Sequence, residues 1–250
     1  MTGDSMNDNF EKNGGDLNIG LAHMMAHELK SPLSVIEGYL YILKKKSRAD
    51  DFNPQDLQVI LDRCTARLEQ MRHVIDDLVA LDCADRSRDE TLRTDVAKVA
   101  LDCVEQIQET ADKSRVKISF DVSPAEVAAT PGELSMIISN LLCNAVKYNR
   151  PEGKVSLTVK PEDNSVLLEV GDDGLGIAPE NISKIFKPLW REKTPAKRDI
   201  PGTGVGLSIV EKMVKILGGV ISVTSTQNEG TMFRIVLPKA AGCNGIKESN

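Results

Sequence analysis

The chain has 250 residues, of which 41% are hydrophobic but only 4% aromatic, and its formal net charge at pH 7 is −6. This length suffices for two domains with buried cores, which must be built mainly from aliphatic side chains. Because 31 Lys and Arg stand against 37 Asp and Glu, the chain lacks the basic excess that binds a phosphate backbone. The charge balance therefore argues against a nucleic-acid partner.

The five cysteines are dispersed through the chain, and none belongs to a CxxC or Cys/His pattern. Their number and spacing predict neither a disulfide framework nor a zinc site, and they fit a reducing cytoplasm. No run approaches the roughly 18 consecutive apolar residues of a membrane span. We therefore expect no membrane segment, and the polar residues 1–16 do not have the pattern of a signal peptide.

Two amphipathic helices are predicted in the first third of the chain. Residues 1–15 are rich in Asn, Asp and Gly, a composition that predicts a disordered lead-in. Apolar side chains then recur every three or four positions over residues 21–43 and again over residues 57–81. The short polar stretch 47–53 between them predicts an antiparallel helical hairpin.

This hairpin has a wide apolar stripe and no predicted element to cover it. We expect two copies to pair as a four-helix bundle, giving a homodimer. The alternative is a hairpin that packs only against its own chain. A crowd of charged residues over 82–93 marks the end of this domain.

The rest of the chain alternates helical and strand patterns in the order αβαββ, long loop, αββ. This order differs from the βαβ alternation of a parallel, doubly wound fold and predicts a mostly antiparallel mixed sheet with helices on one face. The predicted helices are Asp95–Lys113, Pro131–Asn149 and Ser208–Leu217, and the predicted strands are Val116–Val122, Lys154–Val159, Ser165–Val170, Val220–Ser225 and Thr231–Leu237.

The segment from Met24 to Leu33 places three reactive groups within about one helical turn. If it is helical, His27 and Ser31 are neighbours on one face, and the Glu28 carboxylate is adjacent in sequence. A neutral imidazole has a free lone pair, and a carboxylate can take the proton of its other nitrogen as phosphorus is attacked. His27 is therefore a candidate phosphoryl acceptor with Glu28 as base, and an ordinary surface histidine is the alternative.

Three polar side chains share one edge of the helix predicted over Pro131–Asn149. Asn140, Asn144 and Lys147 stand at positions i, i+4 and i+7 of an otherwise apolar helix. Amide oxygens are suitable ligands for Mg²⁺, and a nearby lysine suits phosphate. The pattern indicates a site for a metal-bound phosphate, with three exposed polar residues as the alternative.

Two glycine-rich turns follow. Asp172 ends a predicted strand, and Gly174 and Gly176 behind it permit a tight turn and a close approach of the backbone to a ligand. A carboxylate there can accept from the exocyclic amine of adenine. The turn over residues 202–207 opens the helix Ser208–Leu217, so its N–H groups can cradle a phosphate. It is no dinucleotide-binding fingerprint, because no strand immediately precedes it and no βαβ unit surrounds it.

Six strings resemble motifs of sensor histidine kinases, in the family's order and approximate spacing over residues 17–238. The string HELKSPL at His27 resembles the H-box. NLLCNAVKY, from Asn140, resembles the N-box of the superfamily of gyrase, chaperone, histidine kinase and mismatch-repair ATPases. DDGLGI resembles the G1 box, with Asp173 where relatives commonly carry Asn. IFKPLWR resembles the F-box, GTGVGL the G2 box, and the GT pair at Gly230 the short G3 signal.

The resemblance implies an α+β chain of two domains. Residues 16–90 would form the dimerisation and histidine phosphotransfer hairpin, a four-helix bundle in the dimer. Residues 91–240 would form a catalytic α/β sandwich of the Bergerat ATP-binding type, and residues 241–250 a flexible tail.

The resemblance also implies ATP and Mg²⁺ as cofactors. Asp172 would read adenine, Asn144 would hold Mg²⁺ with Asn140 assisting, and Arg191 would contact the terminal phosphate. The nucleotide-binding residues that the resemblance implies are Asn140, Asn144, Lys147, Tyr148, Asp172, Gly174, Gly176, Ile177, Arg191, Gly202, Thr203, Gly204, Val205, Gly206, Leu207 and Thr231.

The implied function is ATP-dependent autophosphorylation of His27, followed by phosphoryl transfer to an aspartate of a response-regulator receiver domain. In this family the residue four positions after the histidine helps to position water for dephosphorylating the partner, and it is usually Thr or Asn; here it is Ser31. Two alternatives are a kinase-silent scaffold whose dimer is reshaped by nucleotide, and an ATP-hydrolysing clamp. The hairpin that precedes the ATP domain disfavours the clamp.

Overall fold

The structure is a computed structural model that describes residues 29–30, 32–46, 57–68, 71, 75, 91–188, 190–192, 194, 200 and 204–240. It divides into two compact units, Met1–Val79 and Ala80–Asn250. The predicted lead-in 1–15 and the predicted tail 241–250 lie outside the described residues. Within the described part of the chain, no helix is both long enough and apolar enough to cross a membrane.

The described part of the first unit is helical. Residues 29–30 and 32–46 form α1, and residues 57–68, 71 and 75 form α2. The two helices contact each other where Arg63 Nη1 donates a hydrogen bond of 3.2 Å to the Tyr39 hydroxyl. The guanidinium also lies 5.8 Å from the centre of the tyrosine ring, a cation–π distance. The predicted polar connection at 47–53 lies outside the described residues.

Only part of the predicted apolar stripe is covered within the first unit. Ile36 of α1 and Ile60 of α2 are buried. Five of the exposed large apolar side chains recur at seven-residue intervals along their helix and are exposed by 44% to 56%. These are Leu33 and Leu40 on α1, and Leu61, Leu68 and Ile75 on α2. The repeat is the spacing of an apolar seam between packed helices.

The second unit contains four helices and seven strands within the described residues. The helices are α3 (Val96–Lys113), α4 (Pro131–Lys147), α5 (Pro179–Ile182) and α6 (Gly206–Ile216), and the strands are β1 (Thr94–Asp95), β2 (Lys117–Val122), β3 (Glu126–Val127), β4 (Lys154–Pro161), β5 (Ser165–Asp172), β6 (Val220–Thr226) and β7 (Gly230–Pro238).

Five strands form one mixed sheet in the order β2-β4-β5-β7-β6. Only the β2–β4 pair is parallel, and the other three pairs are antiparallel. Alternate residues of β4, β5 and β7 are buried on the face against which α3 and α4 pack. The opposite face carries ion pairs, including Arg234 with Glu169 at 2.7 Å. The prediction of an α+β chain with a sheet covered on one face by helices is confirmed.

Local signals explain where the helices begin. The Asp95 side chain accepts from the Ala97 amide and so caps α3. At the start of α4, Thr130 and Glu133 form a reciprocal capping box, and Pro131 occupies the first turn. The capping box fixes the start of α4, the helix that carries three predicted site residues.

The structure differs from the sequence prediction at several element ends. The helix predicted over Pro131–Asn149 ends at Lys147, and the strand predicted to end at Val170 continues to Asp172. The antiparallel pair β1 and β3 was not predicted. Each of these strands has only two residues, too few to show a period in the sequence.

Candidate nucleotide-binding site

The polar edge of α4 is held by an apolar opposite face. Asn140, Asn144 and Lys147 are all half-buried. The Asn140 amide donates to the carbonyl of Met136 at 2.9 Å, which fixes the orientation of its side chain. Behind this edge, a group of aliphatic side chains is fully buried: Leu134, Ile137, Ile138, Leu141 and Leu142. The predicted placement of the three polar residues on one edge is thus found in the structure.

Two cations lie close together at the end of α4. Burial lowers the pKa of Lys147, and the Arg191 guanidinium lowers it further, while the Cys143 thiol acts against this shift. The Lys147 ammonium also lies 5.4 Å from the centre of the Tyr148 ring. A half-buried lysine beside an arginine is electrostatically unfavourable unless an anion joins them. The pair therefore suits a polyanionic ligand.

Arg191 connects this cluster to the segment that follows it. Its guanidinium hydrogen-bonds the Tyr148 hydroxyl, which partly offsets the rise in the Tyr148 pKa caused by burial. Its Nη2 donates to the carbonyl oxygen of Ile200. Arg191 thus lies beside Tyr148, at the end of α4, and beside Ile200.

The turn after β5 is fixed by hydrogen bonds to three parts of the unit. The Gly174 amide donates to Asp172 Oδ1 at 2.9 Å, and the Leu175 amide donates to the carbonyl of Tyr148 at 3.0 Å. In addition, the Ile177 amide donates to Ser225 Oγ at 2.8 Å. The turn is therefore attached both to the end of α4 and to β6, and its backbone is held in place before any ligand binds.

The glycines of this turn are required by contact and by conformation. A β-carbon on Gly174 would approach the Tyr148 carbonyl oxygen closer than 3.0 Å. Gly176 has a φ of +60°, and a β-carbon there would collide with the carbonyl of Thr226. Only glycine satisfies both demands at position 176. In the structure these glycines allow a close approach to neighbouring backbone, and the predicted approach to a ligand stays a prediction.

A row of polar side chains crosses three strands beside this turn. In the sheet register, Thr231 of β7 lies opposite Asp172 of β5 and opposite Ser225 of β6. Thr231 is 7% exposed, and its hydroxyl lies 2.9 Å from that of Ser225. The sequence prediction missed Ser225. Pairing the closing hairpin residue by residue about its turn would have placed Ser225 opposite Thr231.

The first turn of α6 meets the polar edge of α4. Gly204 has a φ of +75°, and Val205, which precedes the helix, supplies no side-chain hydrogen bond to its first amides. A β-carbon on Gly206 would stand closer than 3.0 Å to Asn140 Oδ1. Glycine at 206 therefore allows the uncapped first turn to approach Asn140, and such a turn attracts anions.

The described residues thus bring together the predicted nucleotide-binding residues of five separate segments. Leu207 continues the first turn of α6 and is half-buried. Gly202 and Thr203 lie outside the described residues, as do the predicted catalytic residues His27, Glu28 and Ser31.

Two family models match the chain. Residues 18–87 match the His Kinase A (phospho-acceptor) domain. Residues 129–241 match the histidine kinase-, DNA gyrase B- and HSP90-like ATPase family. Together the two matches cover more than half of the chain. The chain belongs to the sensor histidine kinase family.

Individual relatives agree with this assignment. The sensor histidine kinase RppB of Synechocystis sp. is 30% identical over 220 residues, which cover 85% of this histidine kinase chain and 47% of RppB. The chain thus spans about half the length of that curated relative.

Solved structures of histidine kinases share the fold. The Acinetobacter baumannii histidine kinase AdeS has a TM-score of 0.65 at 21% identity, over 85% of this chain and 98% of AdeS. The histidine kinase ThkA, solved in complex with the response regulator protein TrrA, has a TM-score of 0.66 at 20% identity, over 92% of this chain and 64% of ThkA. At these identities the likeness concerns the fold alone.

Proposed function

We propose that this histidine kinase transfers the γ-phosphoryl group of Mg·ATP to His27 and then to an aspartate of a response-regulator receiver domain. The observation that carries the proposal is the pair of cations, Lys147 and Arg191, placed beside Tyr148 in a histidine kinase-like ATPase domain. Phosphoryl transfer depends mainly on alignment and charge neutralisation, and this pair can supply the neutralising charge.

The described residues divide naturally between the two ends of the nucleotide. Asp172 and Thr231 would bind the adenine, and Lys147, Arg191 and the first turn of α6 would bind the phosphates. Carboxylate and hydroxyl oxygens can accept from the amine of adenine, whereas cations and the amides of a helix N-terminus attract phosphates. The residues that the resemblance implies for nucleotide binding, including Gly202 and Thr203, are assigned to this site as part of the proposal.

Mg²⁺ fits the amide donors at the polar edge of α4. Asn144 is half-buried one helical turn from Asn140, so its amide oxygen can serve as a hard oxygen ligand. Asn140 would assist from the side that faces Gly206. Mg²⁺ usually takes only one or two protein ligands and completes its shell with phosphate oxygens and water. When bound, the ion neutralises charge on the phosphates.

The acceptor step follows from the chemistry of the H-box residues. An imidazole nitrogen of His27 would form a bond to the γ-phosphorus as the bond to the β,γ-bridging oxygen breaks, and ADP leaves. Glu28 would take the proton from the other imidazole nitrogen. Ser31, one turn further along, would contribute to dephosphorylation of the partner. Transfer to the receiver then moves the phosphoryl group from nitrogen to a carboxylate oxygen.

We assign residues 16–90 to dimerisation and phosphotransfer and residues 91–240 to ATP binding. The exposed apolar side chains on α1 and α2 support a homodimer, because the seven-residue spacing of Leu33 with Leu40, and of Leu61 with Leu68, matches a helix-packing seam that is exposed among the described residues. The complex of ThkA with TrrA supports a response regulator as the partner. We place the kinase in the cytoplasm, as its free thiols at Cys64, Cys103 and Cys143 suggest.

Labelling with two forms of radioactive ATP tests the proposed activity. Purified protein and Mg²⁺ are incubated with ATP labelled at the γ-phosphate or at the α-phosphate, and protein-bound label is counted. We expect label from γ-labelled ATP only, and none after Mg²⁺ is chelated. Intact ATP binding without any bound label would instead favour a kinase-silent scaffold.

A further inference from the structure

The hydroxyl of Ser225 lies at the end of the polar row that crosses β5, β7 and β6. Asp172 lies opposite Thr231, and Thr231 lies opposite Ser225, in the sheet register. All three side chains share the sheet face that carries Phe233 and Val170, both of which are buried. The row is thus a polar edge on an otherwise apolar face. Polar groups in such a place are expected to have defined hydrogen-bond partners.

The single proton of the Ser225 hydroxyl is already used. Ser225 Oγ donates to the carbonyl of Gly230 at 2.8 Å and accepts from the Ile177 amide at 2.8 Å. Its third neighbour is the Thr231 hydroxyl, 2.9 Å away. A hydroxyl has one donor and two acceptor positions. Because its donor serves the carbonyl, Ser225 can only accept from Thr231, and Thr231 must donate in this contact.

We propose that Ser225 is a positioning residue that sets the purine selectivity of the nucleotide site. With its proton directed at Ser225, the Thr231 hydroxyl offers only acceptor positions to a ligand. The neighbouring Asp172 carboxylate is also an acceptor. Two adjacent acceptors complement the exocyclic amine at C6 of adenine and repel the carbonyl oxygen of a 6-oxopurine. This inference rests on the proposed ATP-binding function and adds the reason for its base preference.

The inference is tested with two triphosphates that differ at C6 of the purine. Inosine triphosphate carries a carbonyl oxygen where ATP carries an amine. The dissociation constants of both are measured by calorimetry on the full chain, for the wild type and for Ser225→Ala. Ser222→Ala is the matched control, because Ser222 lies on the same strand, is exposed, and donates a long hydrogen bond of 3.4 Å to the Arg234 carbonyl.

We expect Ser225→Ala to narrow the preference for ATP over inosine triphosphate by roughly fivefold, the effect of about one net hydrogen bond. Without Ser225, the Thr231 hydroxyl can rotate and donate to the carbonyl of inosine. Ser222→Ala should leave the preference unchanged. Thr231→Val, which keeps the volume but removes the hydroxyl, should also narrow it, and Thr231→Ser should keep it. Adding Ser225→Ala to Thr231→Val should cause no further narrowing.

Two results would overturn the inference while leaving the proposed function intact. One is that wild type and Ser225→Ala prefer ATP over inosine triphosphate to the same degree. The other is equal weakening of both triphosphates, which would mean that Ser225 only supports the local structure. A wild type that binds no ATP would overturn the proposed function and this inference with it. If Ser225→Ala fails to fold, the Thr231→Val and Thr231→Ser pair decides the question.

Discussion

The amide oxygen of Asn140 occupies the space that a β-carbon on Gly206 would need. This contact joins the polar edge of α4 to the first turn of α6. Gly206 has no positive φ, so its backbone conformation does not require glycine. Its missing side chain is needed because it lets the two helices approach each other. The neighbour is the end of a side chain, which can rotate away when the space is taken.

Replacing Gly206 by alanine should therefore impair nucleotide binding more than folding. The added methyl displaces the Asn140 amide, and we expect Mg·ATP to bind about tenfold more weakly, as for the loss of a charge-assisted hydrogen bond. Calorimetric titration with Mg·ATP measures this. Gly132→Ala is the control, since its β-carbon would meet nothing nearer than Thr130 Oγ1 at 4.0 Å. Equal affinities for the two variants would contradict the assignment of Asn140.

Replacing Gly176 by alanine should destabilise the ATP-binding unit itself. The residue has a φ of +60° and would place a β-carbon against the carbonyl of Thr226. Strain at such a position costs about 1–3 kcal/mol, and the clash with backbone adds to it. We expect a lower thermal midpoint in a nucleotide-free melt. Gly38→Ala, where nothing lies within 4 Å of the added β-carbon, should leave that midpoint nearly unchanged.

The lowered pKa of Lys147 predicts how the affinity for ATP depends on pH. Protonated Lys147 binds phosphate, and bound phosphate raises its pKa. The affinity for ATP should be full below the pKa of Lys147 in the free protein and fall as pH rises through that value. Because this pKa lies below the ordinary 10.5, the loss should begin at lower pH than for an exposed lysine. Calorimetric titrations across the alkaline range measure it, and no such loss should remain in Lys147→Met.

The same shift has an opposite consequence for folding without nucleotide. Burial opposes the charged form of Lys147, so its pKa is lower in the folded protein than in the unfolded chain. Below the folded-state pKa, the buried charge therefore destabilises the folded protein. This penalty disappears as the pH rises from the folded-state pKa to the ordinary pKa of the unfolded chain. At neutral pH, Lys147→Met should melt at a higher temperature than wild type yet bind ATP roughly tenfold to a hundredfold more weakly. A variant that melts lower would contradict the burial cost inferred for Lys147.

The uncovered seam of the helical unit predicts a dimer that a single charge can break. Leu61 and Leu68 are exposed by 46% and 56%, and pairing with a second copy would bury them. Leu68→Asp should shift the protein from dimer to monomer in analytical ultracentrifugation, because a buried unpaired charge costs several kcal/mol. Leu101→Asp on α3, at a site 40% exposed, is the control and should keep the dimer. A monomeric wild type would contradict the proposal.

Much of the α/β unit could be predicted from local signals. The apolar spacing after Pro131 predicted α4, and the hairpin pattern around residues 161–164 predicted β4 and β5. The polar edge of α4 followed directly from helical spacing. What could not be predicted depends on distant packing. The contact of Asn140 with Gly206 requires α4 and α6, which are separated by β4, β5 and the long loop, to meet in space, and no local pattern reports such a meeting.

The hydrogen-bond partners of the site also could not be predicted from a local sequence pattern. The bond from Ile177 to Ser225 joins residues 48 positions apart, and the bond from Arg191 to Ile200 joins residues nine positions apart. Ser225 reads in the sequence as an ordinary polar residue at the end of a strand. Its importance comes from the register that places it opposite Thr231. The domain boundaries stay predictions.

The chemical stability of the phosphorylated residue tests the central claim most directly. Wild type and His27→Gln are incubated with γ-labelled Mg·ATP, and the labelled protein is treated with acid or with alkali. A phosphoryl group on histidine nitrogen is lost in acid and survives alkali. We predict label with this behaviour in wild type and none in His27→Gln, which should still bind ATP. Label of the same amount in His27→Gln would contradict the assignment of His27 as the phosphoryl acceptor.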